Sequence, residues 1–336
     1  MRWPSVFGRR DFATEIRLVL ICALAILVGA LCTGVAVVLL RLIDLFTNLF
    51  FYQQLSLESR SPANHALGAL VVAIPALGGL IVGVMARFGS EKIRGHGIPE
   101  AMEAILIGQS RMPPKVALLK PLSSAIAIGS GGPFGAEGPI IMTGGAFGSL
   151  VAQLFRLTAA ERKTLLVAGA AGGMSAIFAT PVAAVLLAVE LLLFELRPRS
   201  LVPVALASAV AALIRPYVFG PGPFFAVPLH AASPTTAALL SAVVVGLLAG
   251  LLSLLATAAV YGTEDFFHRL PIPWMWWPAL GGLVVGLGGL IQPQALGVGY
   301  EIIQGLLQGD YPPALIRLLV VKALIWAVAL GSGTSG

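Results

Sequence analysis

Read by polarity alone, the chain is a series of long apolar runs separated by short polar stretches. Uncharged runs include residues 18–40, 66–86, 164–189 and 270–300. Each reaches the roughly 20 residues that a helix needs to cross a hydrocarbon core. Because lipid offers the backbone no hydrogen-bond partners, a spanning run must be helical or part of a closed barrel. The alternation of period two that a barrel strand requires is absent. The pattern therefore predicts an all-α polytopic membrane protein.

Composition supports this, with 58% hydrophobic and only 11% charged residues, against about 25% charged in an average soluble domain. A net charge of +6 raises the question of nucleic acid, but the 21 basic residues are scattered among apolar spans. No Lys/Arg tract is interleaved with aromatics, so no nucleic-acid partner is expected. The basic residues read instead as topology signals. Arg2, Arg9, Arg10 and Arg17 precede the first run, which puts the N-terminus in the cytoplasm by the positive-inside rule. The "GRRDF" at 8–12 superficially resembles a twin-arginine signal. No short apolar region with a small-residue cleavage site follows, so the first helix is expected to be retained. Cys22 and Cys32 lie within one apolar run and read as packing residues, not as a disulfide or metal site. Neither a cofactor nor a metal is expected.

The chain also repeats itself. "PALGGLIVG" at 75–83 recurs as "PALGGLVVG" at 278–286, and "GHGIPEAMEAILIG" from Gly95 is echoed by "GVGYEIIQGLLQG" from Gly297. Lys120 precedes Gly129-Ser130-Gly131 as Lys322 precedes Gly331-Ser332-Gly333. Arg87, Lys92 and Arg94 lie between the first two blocks of copy one, whereas the matching stretch of copy two is neutral. If the basic version faces the cytoplasm, the neutral one faces outward, so the repeat is inverted. Inverted repeats place a solute site near the midplane, at interrupted helices. The expected organisation is a cytoplasmic segment 1–16, a first membrane repeat 17–217 and a second repeat 233–336. Gly336 pairs with Phe134, so the second repeat is expected to be incomplete, short of a counterpart to Glu137.

Chemistry concentrates in two broken segments, "GHGIPE" at Gly95–Glu100 and "GAEGP" at Gly135–Pro139. In each, a glycine turn precedes a proline, Pro99 or Pro139, suited to the first position of a helix. A helix that begins inside the membrane leaves N–H groups unpaired and carries about half a positive charge at that end. Glycines let the backbone approach a ligand, so Gly95, His96, Gly97, Ile98 and Pro99, with Gly135, Ala136, Gly138 and Pro139, are candidates to hold a small anion. Glu137, an anion beside these ends, would occupy the site when charged and vacate it when protonated. That makes it a candidate gate and proton carrier, against the bland reading of a helix-start acid.

His96 could titrate at the site or face a vestibule. Lys120 could snorkel to the interface or act as a buried cation along the path. Glu190 is a candidate pathway residue, and Glu195 reads as interfacial beside Arg197 and Arg199. Thr158 to Glu161 reads as a capping box.

These residues resemble the CLC family of chloride channels and chloride/proton exchangers. "GHGIPE" is similar to the family's Gly-Ser-Gly-Ile-Pro motif and "GAEGP" to its Gly-(Lys/Arg)-Glu-Gly-Pro motif. "IFATPVAAVLLAVE" at 177–190 is similar to its Phe-Asn-Ala-Pro helix. The resemblance implies an inverted-repeat fold of tilted, partly re-entrant helices in a homodimer, in a bacterial inner membrane. It implies a central anion site along Gly95 to Pro99, an external gating glutamate at Glu137 and a buried lysine at Lys120. Chloride or a similar anion would be the solute, with protons as a candidate second one. The sequence departs from the pattern at three places. His96 replaces the usual serine, Ala136 a basic residue, and Leu191 the second glutamate of many exchangers. Channel and exchanger both stay open, as does an inverted-repeat carrier for another anion. A membrane-embedded enzyme using Glu137 and His96 as an acid/base pair is the other class considered. No metalloprotease helix, nucleophile elbow or phosphate-binding loop supports it.

Overall fold

The structure, a computed structural model, describes residues 16–227, 235–311 and 313–336. Arg2, Arg9 and Arg10, most of the expected cytoplasmic segment and residues 233–234 fall outside the described residues. The α-helices in chain order are α1 (Ile16–Thr47), α2 (Ala73–Phe88), α3 (Ile98–Leu106), α4 (Pro114–Gly129), α5 (Glu137–Gln153) and α6 (Ala159–Phe178). There follow α7 (Pro181–Ala188), α8 (Pro198–Phe219), α9 (Thr236–His268), α10 (Trp277–Ile291), α11 (Tyr300–Gln308) and α12 (Leu315–Gly331). No strand occurs among the described residues, in keeping with the helical expectation.

Among the described residues, five helical stretches are long and apolar enough to cross a membrane: Arg17–Tyr52, Gly68–Phe88, Pro198–Phe219, Thr236–His268 and Trp274–Ile291. Two uncharged runs do not form single helices. The run 164–189 divides where α6 ends at Phe178, Ala179 takes a left-handed φ of 57° and Pro181 opens α7. The run 270–300 divides where Gln292 becomes extended and a 3-10 turn, Pro293–Ala295, follows α10. Proline and the residue before it resist helix continuation, so an uncharged run marks depth rather than continuity. Conversely, α8 is a long apolar helix although it carries Arg199 and Arg215, and a search for uncharged runs passes over it.

The chain forms two compact units. The first combines Met1–Leu42, Gly89–Ala125 and Ala136–Phe224. Within it α5 and α6 touch backbone to backbone: a Cβ on Gly144 would overlap the Gly169 carbonyl, and one on Gly169 the Gly144 carbonyl. Small residues allow such approach in lipid, where van der Waals packing and interhelical hydrogen bonds drive helix association. Ser175 Oγ donates to the Ser208 carbonyl at 2.8 Å and Ser208 Oγ to the Pro181 carbonyl at 2.9 Å, tying α6, α7 and α8 together. Ile141, Met142, Leu165, Leu166, Leu192 and Val204 form the buried centre. The expected capping box opens α6: Thr158 N donates to Glu161 Oε2 at 2.7 Å and Glu161 N to Thr158 Oγ1 at 3.3 Å.

The second unit combines Ile43–Phe88, Ile126–Gly135 and Phe225–Gly336. Its centre is the pairing of α2 with α10, and the contacts are reciprocal. Gly79 faces the Pro278 carbonyl while Gly282 faces that of Pro75, and Gly83 faces the Met275 carbonyl while Gly286 faces that of Val72. Gly78 meets Ser130 as Gly281 meets Ser332. Each contact maps onto its mate at the spacing of the sequence repeat. The compact units therefore interleave the sequence copies, since α2 of the first packs on α10 of the second. Helix α9 is apolar over residues 236–263 before Glu264 and Asp265, and is mostly exposed, with Phe267 its buried residue, as suits a lipid-facing span.

Candidate functional site

The first broken segment begins with two glycines in positive-φ conformations, Gly95 at 87° and Gly97 at 95°. Gly97 caps α3, and its N–H donates to Glu100 Oε2 at 2.6 Å. A Cβ on Gly95 would overlap the Glu100 carboxylate, so glycine there lets that side chain fold back. The first helical bond, Ala101 N to Gly97 O at 3.0 Å, leaves the Ile98 and Glu100 N–H groups at the helix end, since Pro99 has none. Pro99 is the second helical residue, not the first. The shift is tolerated because the second N–H would also lack an intrahelical acceptor.

Lys120 on α4 is fully buried. Its Nζ donates to the Gly95 carbonyl at 2.8 Å and the Ile93 carbonyl at 3.1 Å. The snorkelling reading of Lys120 is thus set aside. The ammonium engages two carbonyls of the segment and adds a buried positive charge beside it.

The second broken segment opens α5. Ala136 is its cap, Glu137 its first residue and Gly138 its second, with Pro139 third. Proline again stands within the first turn rather than at its start, for the same reason. Gly135 directly precedes the cap. Ala136 and Pro139 are buried, while Gly135, Glu137 and Gly138 are half-buried. The two segments meet: a Cβ on Gly97 would overlap the Gly138 carbonyl. The N-termini of α3 and α5, selected separately in the sequence, are therefore neighbours within the first unit, with Glu137 at the start of one of them. His96 lies half-buried between the two glycines of the α3 turn, and Ile98 begins the helix half-buried.

Glu190 lies in a π-helical turn, Val189–Leu193, that packs beside α3. Its side chain is exposed, and among the described residues no hydrogen bond or ion pair joins it to Glu137 or to the α3 turn. Glu195 lies beyond that turn, in an ion-pair cluster with Lys163 at 3.4 Å and Arg197 at 3.4 Å. Sequence reasoning passed over Glu100 as the residue that braces the turn. Its signal was present in the spacing, because a cap followed three residues later by Glu is the reciprocal half of a capping box.

Comparison with known proteins bears on the family and the fold. The family described as voltage gated chloride channel matches residues 78–336. A voltage-gated ClC-type chloride channel, ClcB, of Salmonella typhimurium is 33% identical over 267 residues, covering 78% of this chain and 63% of that protein. An H(+)/Cl(-) exchange transporter, ClcA, of Citrobacter koseri is 29% identical over 279 residues, covering 80% of this chain and 58% of that one. The chain thus spans less than two thirds of the length of these relatives. The crystal structure of a CLC-type fluoride/proton antiporter superposes with a TM-score of 0.80 at 17% identity, covering 96% of this chain and 78% of that one. That likeness carries the fold, an all-α polytopic membrane architecture, and the family match sets the membrane-enzyme reading aside. With the family's own match spanning most of the sequence, this integral multi-pass membrane protein belongs to the CLC family of voltage-gated chloride channels.

Proposed function

We propose that the protein carries chloride or a similar small inorganic anion across the membrane by a path that passes the N-termini of α3 and α5, with Glu137 as its gate. The observation that supports this is the backbone contact of Gly97 with Gly138. It sets two positive helix ends side by side and puts a carboxylate on the first residue of one. An anion would be held along Gly95 to Pro99 and Gly135 to Pro139, by helix-end N–H groups such as those of Ile98 and Glu100 rather than the Gly97 N–H that Glu100 already engages, and Glu137 would compete with it when ionised. The neighbouring Lys120 charge would favour either anion.

The relatives are named both as channels and as exchangers, and Glu190, His96 and Leu191 bear on which applies here. We propose Glu190 as a solvent-facing proton entry only for the exchanger. The assignment of 17–217 and 233–336 as inverted repeats, homodimer formation and an inner-membrane location with a cytoplasmic N-terminus belong to the same proposal. The reciprocal α2–α10 contacts favour the repeat.

The test is chloride and proton flux in liposomes, for the wild type and for Glu137→Gln and Glu137→Ala. Chloride flux with opposed proton movement, uncoupled in the variants, makes the protein an exchanger. Chloride flux without protons makes it a channel. Flux that is the same in the wild type and both variants would remove Glu137 from the gate.

A further inference from the structure

Arg162, near the start of α6, is only 7% exposed. Its Nε donates to the Gln109 carbonyl at 3.1 Å and its Nη1 to the Leu157 carbonyl at 3.3 Å, which leaves Nη2 without a protein partner. Among the described residues no carboxylate pairs with Arg162, Arg111 or Arg156. The adjacent Glu161 is engaged by Arg17 and Thr158, and Glu103 on α3 is exposed and makes no ion pair with either arginine. The Arg111 charge also works against that of Arg162. A buried cation without a counter-charge is costly, and a like charge beside it adds to the cost. An anion between the two would relieve both terms.

The surroundings say which anion. Arg17 opens the apolar span Arg17–Tyr52, and its guanidinium is bound to Glu161 and to the Arg156 carbonyl. The arginines therefore lie at the level where α1 enters the hydrocarbon, which is where headgroup phosphates lie. Leu106 and Ile107 before the loop, and Leu154 and Phe155 before Arg156, are exposed apolar side chains at the same rim. The loop itself is held in place: Ser149 Oγ donates to the Ser110 carbonyl at 2.7 Å, and Gln153 Nε2 to the Met112 carbonyl at 3.1 Å. Cationic groups beside exposed apolar side chains match a phospholipid better than a free ion.

We propose that the α3–α4 loop and the α5–α6 turn bind the phosphate of an anionic phospholipid between Arg162 and Arg111. The site is separate from the anion path and does not depend on its assignment.

The test is thermal unfolding of the purified full chain in detergent, titrated with phosphatidylglycerol, with phosphatidylcholine or with inorganic phosphate. Phosphatidylglycerol should stabilise the wild type more than phosphatidylcholine does. Arg111→Glu and Arg162→Gln should each weaken its apparent affinity on the order of fivefold or more, while Arg269→Gln on an exposed position should not. Arg162→Gln also removes two backbone hydrogen bonds, so if it fails to fold the surface variant Arg111→Glu decides. Equal responses to the two lipids, or an unchanged response in Arg111→Glu, overturn the proposal. Equal stabilisation by millimolar phosphate would make it a soluble-anion site and overturn the lipid assignment.

Discussion

Lys120 and Lys322 make the same hydrogen bonds 202 residues apart. Lys120 donates to the carbonyls of Ile93 and Gly95, and Lys322 to those of Ala295 and Gly297. Each lysine thus braces the turn that opens a short helix, α3 or α11. The copies differ at the cap. Glu100 ties the N–H of Gly97 in the first. In the second, the matching residue is Ile302, which has no carboxylate to return to the cap.

Lys120→Met should be strongly destabilising, because two buried carbonyls lose a charged donor worth about 1.5–3 kcal/mol per bond. Lys322→Met should cost less, since that side chain is only partly buried. Thermal unfolding in detergent checks the order. Equal small losses would mean that neither turn depends on its lysine.

Gly97→Ala should abolish anion flux. The substitution meets a φ of 95°, a conformation open to glycine and rarely to other residues, and also the Gly138 carbonyl. Gly309→Ala supplies the comparison: its φ is 92° with nothing within 4 Å of a new Cβ, so only the backbone cost applies. Flux and unfolding measured on both variants separate the clash from the strain.

Glu100→Ala should lower anion affinity while costing only about 1 kcal/mol of stability, the usual value of a lost cap. Isothermal titration with chloride reads the first and thermal unfolding the second. Unchanged chloride binding would detach the cap from the anion turn.

Ala179 ends α6 with a φ of 57°, a conformation that asparagine or glycine adopts at lower cost. Ala179→Gly should therefore stabilise the protein by up to about 1 kcal/mol, seen as a rise in melting temperature of a few degrees.

Glu195 lies outside the spans. Burial pushes its carboxyl pKa up, but the Ser200 hydroxyl at 2.6 Å and Lys163 together outweigh this and hold it below the usual glutamate range. The folded state thus binds this proton less readily than the unfolded one. The stabilisation is complete above the unfolded value, about 4.3, and is lost as pH falls through the lower folded value. Glu195→Gln should unfold at lower temperature near pH 7, and the gap to wild type should close in acid. A gap that persists at low pH would refute the ionic origin.

The membrane class, the helical content and the two broken helix starts at Gly95–Glu100 and Gly135–Pro139 were legible in the sequence because they are local. Apolar length, glycine before proline and the Thr158–Glu161 cap act over a few residues, and the repeat exposed the Lys120–Lys322 correspondence. The interruption at Ala179 carried a local signal too, in Pro181, but the lack of charge across 164–189 masked it. Tertiary structure alone decided that Gly97 meets Gly138, that Lys120 is buried on carbonyls instead of reaching for water, and that α2 pairs with α10 across the copies. Those outcomes depend on which backbones approach closely enough to exclude a Cβ, and on which polar groups must be satisfied where lipid offers no partner.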